Sequence, residues 1–254
     1  MSSPLRVASY NVHGCRGRDG RRDVARIVRV LREIDADVIG LQEVESRHGR
    51  SDVDQAERLA GGLGMACVEG PLLRAERGWY GNALLSRLEV ESVQRVLFEV
   101  RGREARGAVV CDLRGDASSW RVMTTHLDLR SRHRRRQFEA MLDELVPHRG
   151  RPTVLMGDFN EWWPFSRALA ALRRHAELPP APPTFPSRLP ILRLDRIAHF
   201  ACRLQGEVRC HLTPLSRLAS DHLPVFADLV AEPTGSSATA IDARAAAAPA
   251  ELER

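Results

Sequence analysis

Thr153-Val154-Leu155-Met156-Gly157-Asp158-Phe159-Asn160 is a short apolar run that breaks off on Gly, Asp and Asn. Such a run, bounded by turn formers, reads as a buried β-strand, and the polar residues just past it sit at the strand end. A side chain there is held by a rigid scaffold yet reaches the edge of the fold, which suits it to chemistry. The layout recurs along the chain. Leu5 to Val12 stops at His13-Gly14 and carries Asn11 near its end. Asp37 to Val44 carries Glu43, Asn82 opens a run to Ser86, and Trp120 to His126 ends on histidine. Asp195 opens a run to Ala201, and Asp221-His222 precedes Pro224 to Val230.

Helical periodicity fills the gaps. Asp23 can cap a helix whose apolar positions are Val24, Ile27, Val28, Leu31 and Ile34, and Arg132 to Val146 puts Phe138, Met141, Leu142 and Leu145 on one face. Ala56 to Leu63 and Ser166 to His175 are further helices. Met65 to Val68, Glu91 to Val100, Ala105 to Leu113 and Gly206 to Leu212 read as strands, and Leu178 to Pro190 as a proline-rich loop. Hairpin-like strands mixed with separated helices predict an α/β (α+β) domain with two sheets and helices outside, over residues 1–231. Residues 232–254, rich in Ala, Ser, Pro and Thr, predict a flexible tail.

Composition narrows the function. The 254 residues are 43% hydrophobic and 28% charged, ordinary for one globular domain. No run reaches the ~18 apolar residues that a membrane span needs, and the first residues lack the basic start and apolar stretch of a leader, so a soluble cytoplasmic monomer is expected. The 5 cysteines are scattered and lack a Cys-x-x-Cys pair, which argues for buried free thiols over disulfides or a thiolate zinc site. All 38 basic residues are arginine. Guanidinium forks suit phosphate oxygens, though the net charge of +5 is far from that of a histone-like protein.

The strand-end residues form a chemically sensible set. Magnesium prefers oxygen ligands and binds through one or two carboxylates plus water and phosphate oxygens. Glu43 with Asn11 alongside fits that description, and Asp221 adds a second carboxylate. A histidine can stabilise a phosphoryl group when an acid holds its other nitrogen, and His222 with Asp195 is the candidate pair. Asp158, with Asn160 as a neutral donor, can orient and deprotonate an attacking water. No His-x-x-x-His or Cys-rich spacing supports zinc instead.

Seven segments share their order with one known family: Ser9-Tyr10-Asn11-Val12-His13-Gly14, Leu41-Gln42-Glu43-Val44, Tyr80-Gly81-Asn82-Ala83-Leu84-Leu85-Ser86, Thr125-His126-Leu127, Gly157-Asp158-Phe159-Asn160, Leu194-Asp195-Arg196-Ile197 and Ser220-Asp221-His222-Leu223-Pro224. Together they resemble the motifs of the endonuclease/exonuclease/phosphatase superfamily over about residues 5 to 230, as in its compact bacterial metal-dependent hydrolases. The resemblance implies a four-layer α/β/β/α sandwich with two central mixed β-sheets and a site at one edge. It implies Mg²⁺, replaceable by Mn²⁺, on Glu43 with help from Asn11. It also implies His222 oriented by Asp195 against the scissile phosphate, Asp158 and Asn160 beside the nucleophile, and His126 near the leaving group. His13 stands where the superfamily's abasic-site endonucleases carry an acid, which counts against that role.

Three further features bear on the substrate. Arg130, Arg132, Arg134, Arg135 and Arg136 follow His126 and would reach the cleft rim; a solvated helix start balanced by Glu139, Asp143 and Glu144 is the plainer expectation. Trp162 and Trp163 could stack on a base or line a lipid pocket, but at least one is expected in the core. Asn82 and Arg188 are the substrate-binding candidates, Arg188 from the stiff loop Pro182 to Arg188. The expected partner is a phosphate ester: nucleic acid, a phospholipid headgroup or a small molecule. The rival is a catalytically silent phosphate-binding module that retains the fold.

Overall fold

The computed structural model describes residues 3–46, 54–76, 78–98, 105–116, 118–148 and 150–232. The expected tail, beyond residue 232, lies outside the described residues. One sheet is built from β1 (Leu5–Asn11), β2 (Val38–Ser46), β3 (Ala66–Ala75), β4 (Gly78–Ser86), β10 (Cys202–Cys210) and β11 (Val225–Ala231), in the order β10-β11-β1-β2-β4-β3. The other runs in chain order through β5 (Glu89–Phe98), β6 (Arg106–Arg114), β7 (Ser119–His126), β8 (Thr153–Asp158) and β9 (Asp195–Phe200). Each is mixed, since β1 pairs parallel with β2 and β7 with β8 while their other neighbours run antiparallel.

The layers follow from which faces are apolar. α1 (Val24–Ile34) and α2 (Gln55–Leu63) bury Ile27, Leu31 and Leu59 against Tyr10, Leu41 and Leu85 on the outer face of the first sheet. α3 (Ser131–Leu145) and α4 (Arg167–Arg173) bury Phe138, Met141, Leu169 and Leu172 against Met123, Leu155 and Ala198 on the second. The inner faces meet through Val7, Val38, Leu84, Val109, Val122, Val154 and Ile197. This is the expected four-layer α/β/β/α sandwich. Asp23 caps α1 as its sequence foretells, its carboxylate accepting from the Arg26 N–H. Among the described residues no helix is long and apolar enough to cross a membrane.

Three elements depart from expectation, one of them β10, which starts at Cys202 rather than Gly206 and ends at Cys210 rather than Leu212. β3 continues to Ala75, well past Val68, because Gly70 and Pro71 are accommodated in an edge strand with a register shift between Pro71 and Leu73. α5 (Pro214–Ala219), capped reciprocally by Thr213 and Ser216, has too few residues to show an apolar stripe in sequence. All five cysteines are free, and burial pushes each thiol up to about 12.

Alternation along the central strands is what positions the site. Leu5 and Val7 of β1 point between the sheets, and the next residues on that face are Ser9 and Asn11. In β2 the series Val38, Gly40, Gln42 makes the same change, as does Val122, Thr124, His126 in β7. Gln42 Nε2 donates across the sheets to Thr124 Oγ1 at 3.0 Å. The inter-sheet layer is thus apolar over most of its length and polar at one edge.

β8 reaches that edge through Gly157, whose φ of 154° and crowded surroundings leave no space for a side chain: a Cβ would lie 2.0 Å from the Thr125 carbonyl oxygen. Gly157→Ala is expected to destabilise the fold by about 3 kcal/mol, a drop of roughly 6–12 °C in Tm. Thermal unfolding checks this, and an unchanged Tm would show that β7 and β8 can separate there freely.

Candidate active site

Strand register assembles the site. In the second sheet His126 stands opposite Asp158 and Asp158 opposite Asp195, so β7, β8 and β9 set these residues side by side. In the first sheet Asn11 is paired with Gln42 across β1 and β2. Asn11 Nδ2 then donates to Glu43 Oε1 at 2.9 Å and, across the sheets, to Asp158 Oδ2 at 3.1 Å. Its Oδ1 accepts from the His13 N–H at 3.1 Å, so both ends of the amide are engaged.

Glu43 owes its direction to a β-bulge. Ile39 and Leu41 pack outward under the helices, and strict alternation would send Glu43 the same way. The β2–β4 register instead slips between Leu41 and Val44, Glu43 takes φ 57°, and Val44 becomes the next outward residue. The extra residue turns the carboxylate into the cleft, at the cost of a left-handed backbone that a non-glycine residue seldom adopts. Asn160 has a similar backbone (φ 51°), with its N–H donating to Asp158 Oδ1 at 2.9 Å.

The two site histidines lie on either side of Asp158, with Nε2 atoms 3.5 Å (His126) and 3.6 Å (His222) from Asp158 Oδ2. Their surroundings push them in opposite directions. Burial works against a charge on His222, but its Nδ1 donates to Asp195 Oδ2 at 2.9 Å, and Asp195, Asp158 and Asp221 together raise it to about 10. Burial lowers His126 to about 4, helped by Arg106 and the His222 charge against the pull of Asp158. Arg106 Nη1 lies 3.0 Å from His126 Nδ1, and the other ring nitrogen, Nε2, faces Asp158. Asn160 Nδ2 lies 3.1 Å from that Nε2 and donates to the Leu127 carbonyl at 2.9 Å.

Glu43, Arg106, His126, Asp158, Asn160 and His222 line a cleft of ≈ 420 Å³, with Trp162 and Phe185 among its walls. Phe185 rests on the His222 ring at 4.9 Å between centroids. Asp195 lies buried behind His222, and its Oδ1 has no hydrogen-bond partner among the described residues. The other candidates fall outside the cleft. Asn82 stands within β4 rather than at a strand end, and its Nδ2 donates to the Gly107 carbonyl at 3.0 Å. Asp221 is half-exposed with Oδ1 3.6 Å from His13 Nδ1, and Arg188 is exposed with its carbonyl accepting from Arg217. The expectation that Trp162 or Trp163 packs in the core is overturned: both are exposed, on a loop held by the buried Arg134–Glu161 pair, with Glu161 Oε1 accepting from the Trp163 N–H.

Arg106 was not singled out by sequence; one arginine among 38 carries no signal. Arg134, a member of the basic run expected at the cleft rim, does line the cleft, but buried and paired with Glu161 at 3.0 Å, while Arg135 makes the anticipated contact with Glu139 at 3.7 Å.

The family model described as "Endonuclease/Exonuclease/phosphatase family" matches residues 8–222. The chain is 31% identical over 247 residues to "Uncharacterized protein YbhP" of Escherichia coli (strain K12), covering 89% of this chain and 96% of that one. Among solved structures, the endonuclease/exonuclease/phosphatase from Bacteroides vulgatus superposes with TM-score 0.76 at 18% identity, over 91% of this chain and 100% of the other. That from Beutenbergia cavernae DSM 12333 gives TM-score 0.71 at 23% identity, over 91% and 72%.

An unfolded histidine protonates near pH 6.5 and the folded His126 near 4, so unfolding takes up a proton between these values and His126 makes the fold less stable as pH falls from 6.5 towards 4. His222 acts in the other sense, its stabilisation full below 6.5 and lost as pH rises through about 10. In metal-free protein, histidine-ring NMR is expected to show His126 neutral well below pH 6.5, and Arg106→Gln to move its titration upward. A wild-type His126 titrating at the ordinary value would contradict the assigned ring state.

Proposed function

The chain belongs to the endonuclease/exonuclease/phosphatase family, whose members are phosphoester hydrolases that generally depend on a divalent metal, and on that premise we propose that it cleaves a phosphate ester by in-line attack of water at the polar edge between its sheets. The observation that carries this reading is the pair of buried imidazoles flanking a shared carboxylate, one held by Asp195 and the other facing Arg106, partners that push their titrations in opposite directions. Groups whose environments push their titrations apart suit separate acid and base tasks.

In this reading Asp158 accepts the proton of the attacking water, and the Asn160 backbone holds its carboxylate in place. The His222 imidazolium, kept protonated and oriented by Asp195, donates from Nε2 to a phosphoryl oxygen as charge builds there. His126 turns its Nε2 towards the departing oxygen, with Arg106 at its other ring nitrogen. Asn11 keeps Glu43 and Asp158 converged while substrate enters.

The donor set fits a hard cation. Glu43 and Asp158 share one neutral amide, so two carboxylates meet without a balancing positive side chain between them, and the cluster of Asp158, Asp195 and His222 adds further negative charge than its one imidazolium offsets. Mg²⁺, or Mn²⁺ in its place, would be held by Glu43 with Asn11, and by Asp221 if that half-exposed carboxylate turns inward. When bound, it supplies charge neutralisation and Lewis-acid polarisation of the phosphoryl group.

Wild-type protein is expected to hydrolyse an activated phosphodiester with Mg²⁺ or Mn²⁺ and to lose that activity in EDTA. Glu43→Ala and His222→Ala should each lower kcat/KM by about a thousandfold or more while leaving the fold intact by circular dichroism. The assay extends to DNA, RNA, phospholipid and small soluble phosphoesters, with Glu43→Ala as blank. Absence of metal-dependent turnover across that panel would favour a silent phosphate-binding module.

A further inference from the structure

Leu129, Trp162, Trp163, Phe165, Leu189 and Ile191 stand exposed around the mouth of the cleft, at 50–79% of full exposure. Leu129 and Trp162 line the cleft itself, and Leu189 and Ile191 lie just before Leu192, which also lines it. Trp163 packs edge-on against Trp162 at 5.8 Å and against Phe165 at 5.7 Å. Exposed apolar side chains gathered beside a cleft in this way usually mark a place where something else binds.

The surface is firmly built. Arg134, buried beneath it, donates through Nη1 to the Leu129 carbonyl at 2.5 Å and through Nη2 to Glu161 Oε2 at 3.0 Å. Glu161 Oε1 accepts from the Trp163 N–H at 3.1 Å, and Arg196 Nη2 donates to the Glu161 carbonyl at 2.9 Å. One guanidinium thus ties the Leu129 loop to the aromatic loop, and a pair of buried charges spends its hydrogen bonds on presenting tryptophans to solvent.

Charge surrounds the apolar centre. Arg130, Arg132, Arg167, Arg188 and Arg193 are exposed in the same segments. Of the acids in 128–136 and 160–193, Asp128 and Glu161 are buried, leaving Glu177 as the exposed one. Aromatic rings beside aliphatic side chains, ringed by arginine, match the boundary between lipid headgroups and acyl chains on an anionic membrane. A nucleic-acid strand fits less well. Leu129, Leu189 and Ile191 offer a base no ring to stack on, and the aromatic planes lie at 71° and 74° to one another, so they do not form a parallel platform.

We propose that this rim docks on the surface of an anionic lipid bilayer, seating its aromatic and aliphatic side chains at the headgroup boundary and its arginines on lipid phosphates, so that the cleft opens onto the membrane. That the cleft then acts on a phosphate ester at that surface rests on the phosphoesterase reading. The docking does not, and it can be measured with EDTA present and no turnover.

The test mixes full-length protein with vesicles of phosphatidylcholine alone or with phosphatidylglycerol, and follows co-sedimentation and tryptophan emission. Trp79 and Trp120 are buried at 3% and 5% exposure, so a blue shift on binding reports Trp162 and Trp163. Binding to the anionic vesicles with a blue shift is expected. Trp163→Ser combined with Phe165→Ser should weaken partitioning by about tenfold or more, and Arg130→Gln with Arg132→Gln should weaken it and flatten its salt dependence. Unchanged far-ultraviolet circular dichroism verifies that the variants fold. Wild-type protein that stays in the supernatant with both vesicle types, or binding that survives the aromatic substitutions, overturns the proposal. So does emission quenching by a single-stranded oligonucleotide without vesicle binding, which assigns the rim to nucleic acid. A dimer that dissociates on Phe165→Ser, again without vesicle binding, assigns it to a second copy of the chain.

Discussion

The side-chain amide of Asn11 holds the two halves of the site together. It sits at the end of β1 in one sheet, and its Nδ2 donates both to Glu43 in the same sheet and to Asp158 in the other. Two carboxylates converging at the edge of a low-dielectric core repel each other strongly, and a neutral donor bridges them without cancelling their charge. An arginine or lysine in its place would neutralise the pair and leave nothing for a cation to do. The amide therefore fixes geometry while preserving the electrostatic need, and the sheet spacing at this edge is set by a hydrogen bond whose partners are also the proposed chemistry.

The two histidines show how little residue type alone determines. Both are buried, both face Asp158, and burial works against a charge on each. His222 has a carboxylate on its Nδ1, and His126 a guanidinium. That difference in partner helps push the two rings in opposite directions, and it comes from residues on other strands, β9 for Asp195 and β6 for Arg106.

This explains what the sequence could and could not reveal. His126, Asp158, Asp195 and His222 announce themselves because polar residues at the ends of apolar runs are conspicuous, and strand register converts those ends into neighbours. Glu43 is visible as a residue, but its direction depends on a slip in pairing with β4, which no local pattern encodes. Arg106 vanishes into an arginine-rich background, Arg134 is visible only as one member of a basic run, and the importance of each lies in what it touches. The tryptophans mislead for a different reason. Large aromatic residues are core residues by default, and their exposure here depends on the buried Arg134–Glu161 pair beneath them, which is a tertiary fact.

The free thiols carry a consequence for where such a fold can persist. Disulfide exchange and peroxide oxidation proceed through the thiolate, and thiols pushed up to about 12 hold almost none at neutral pH. No bridge contributes to the sandwich, so a reducing environment takes nothing from it. An oxidising one finds little to attack. Its integrity therefore owes nothing to a disulfide, and Cys67 and Cys210, the two half-buried thiols, are the ones nearest to solvent.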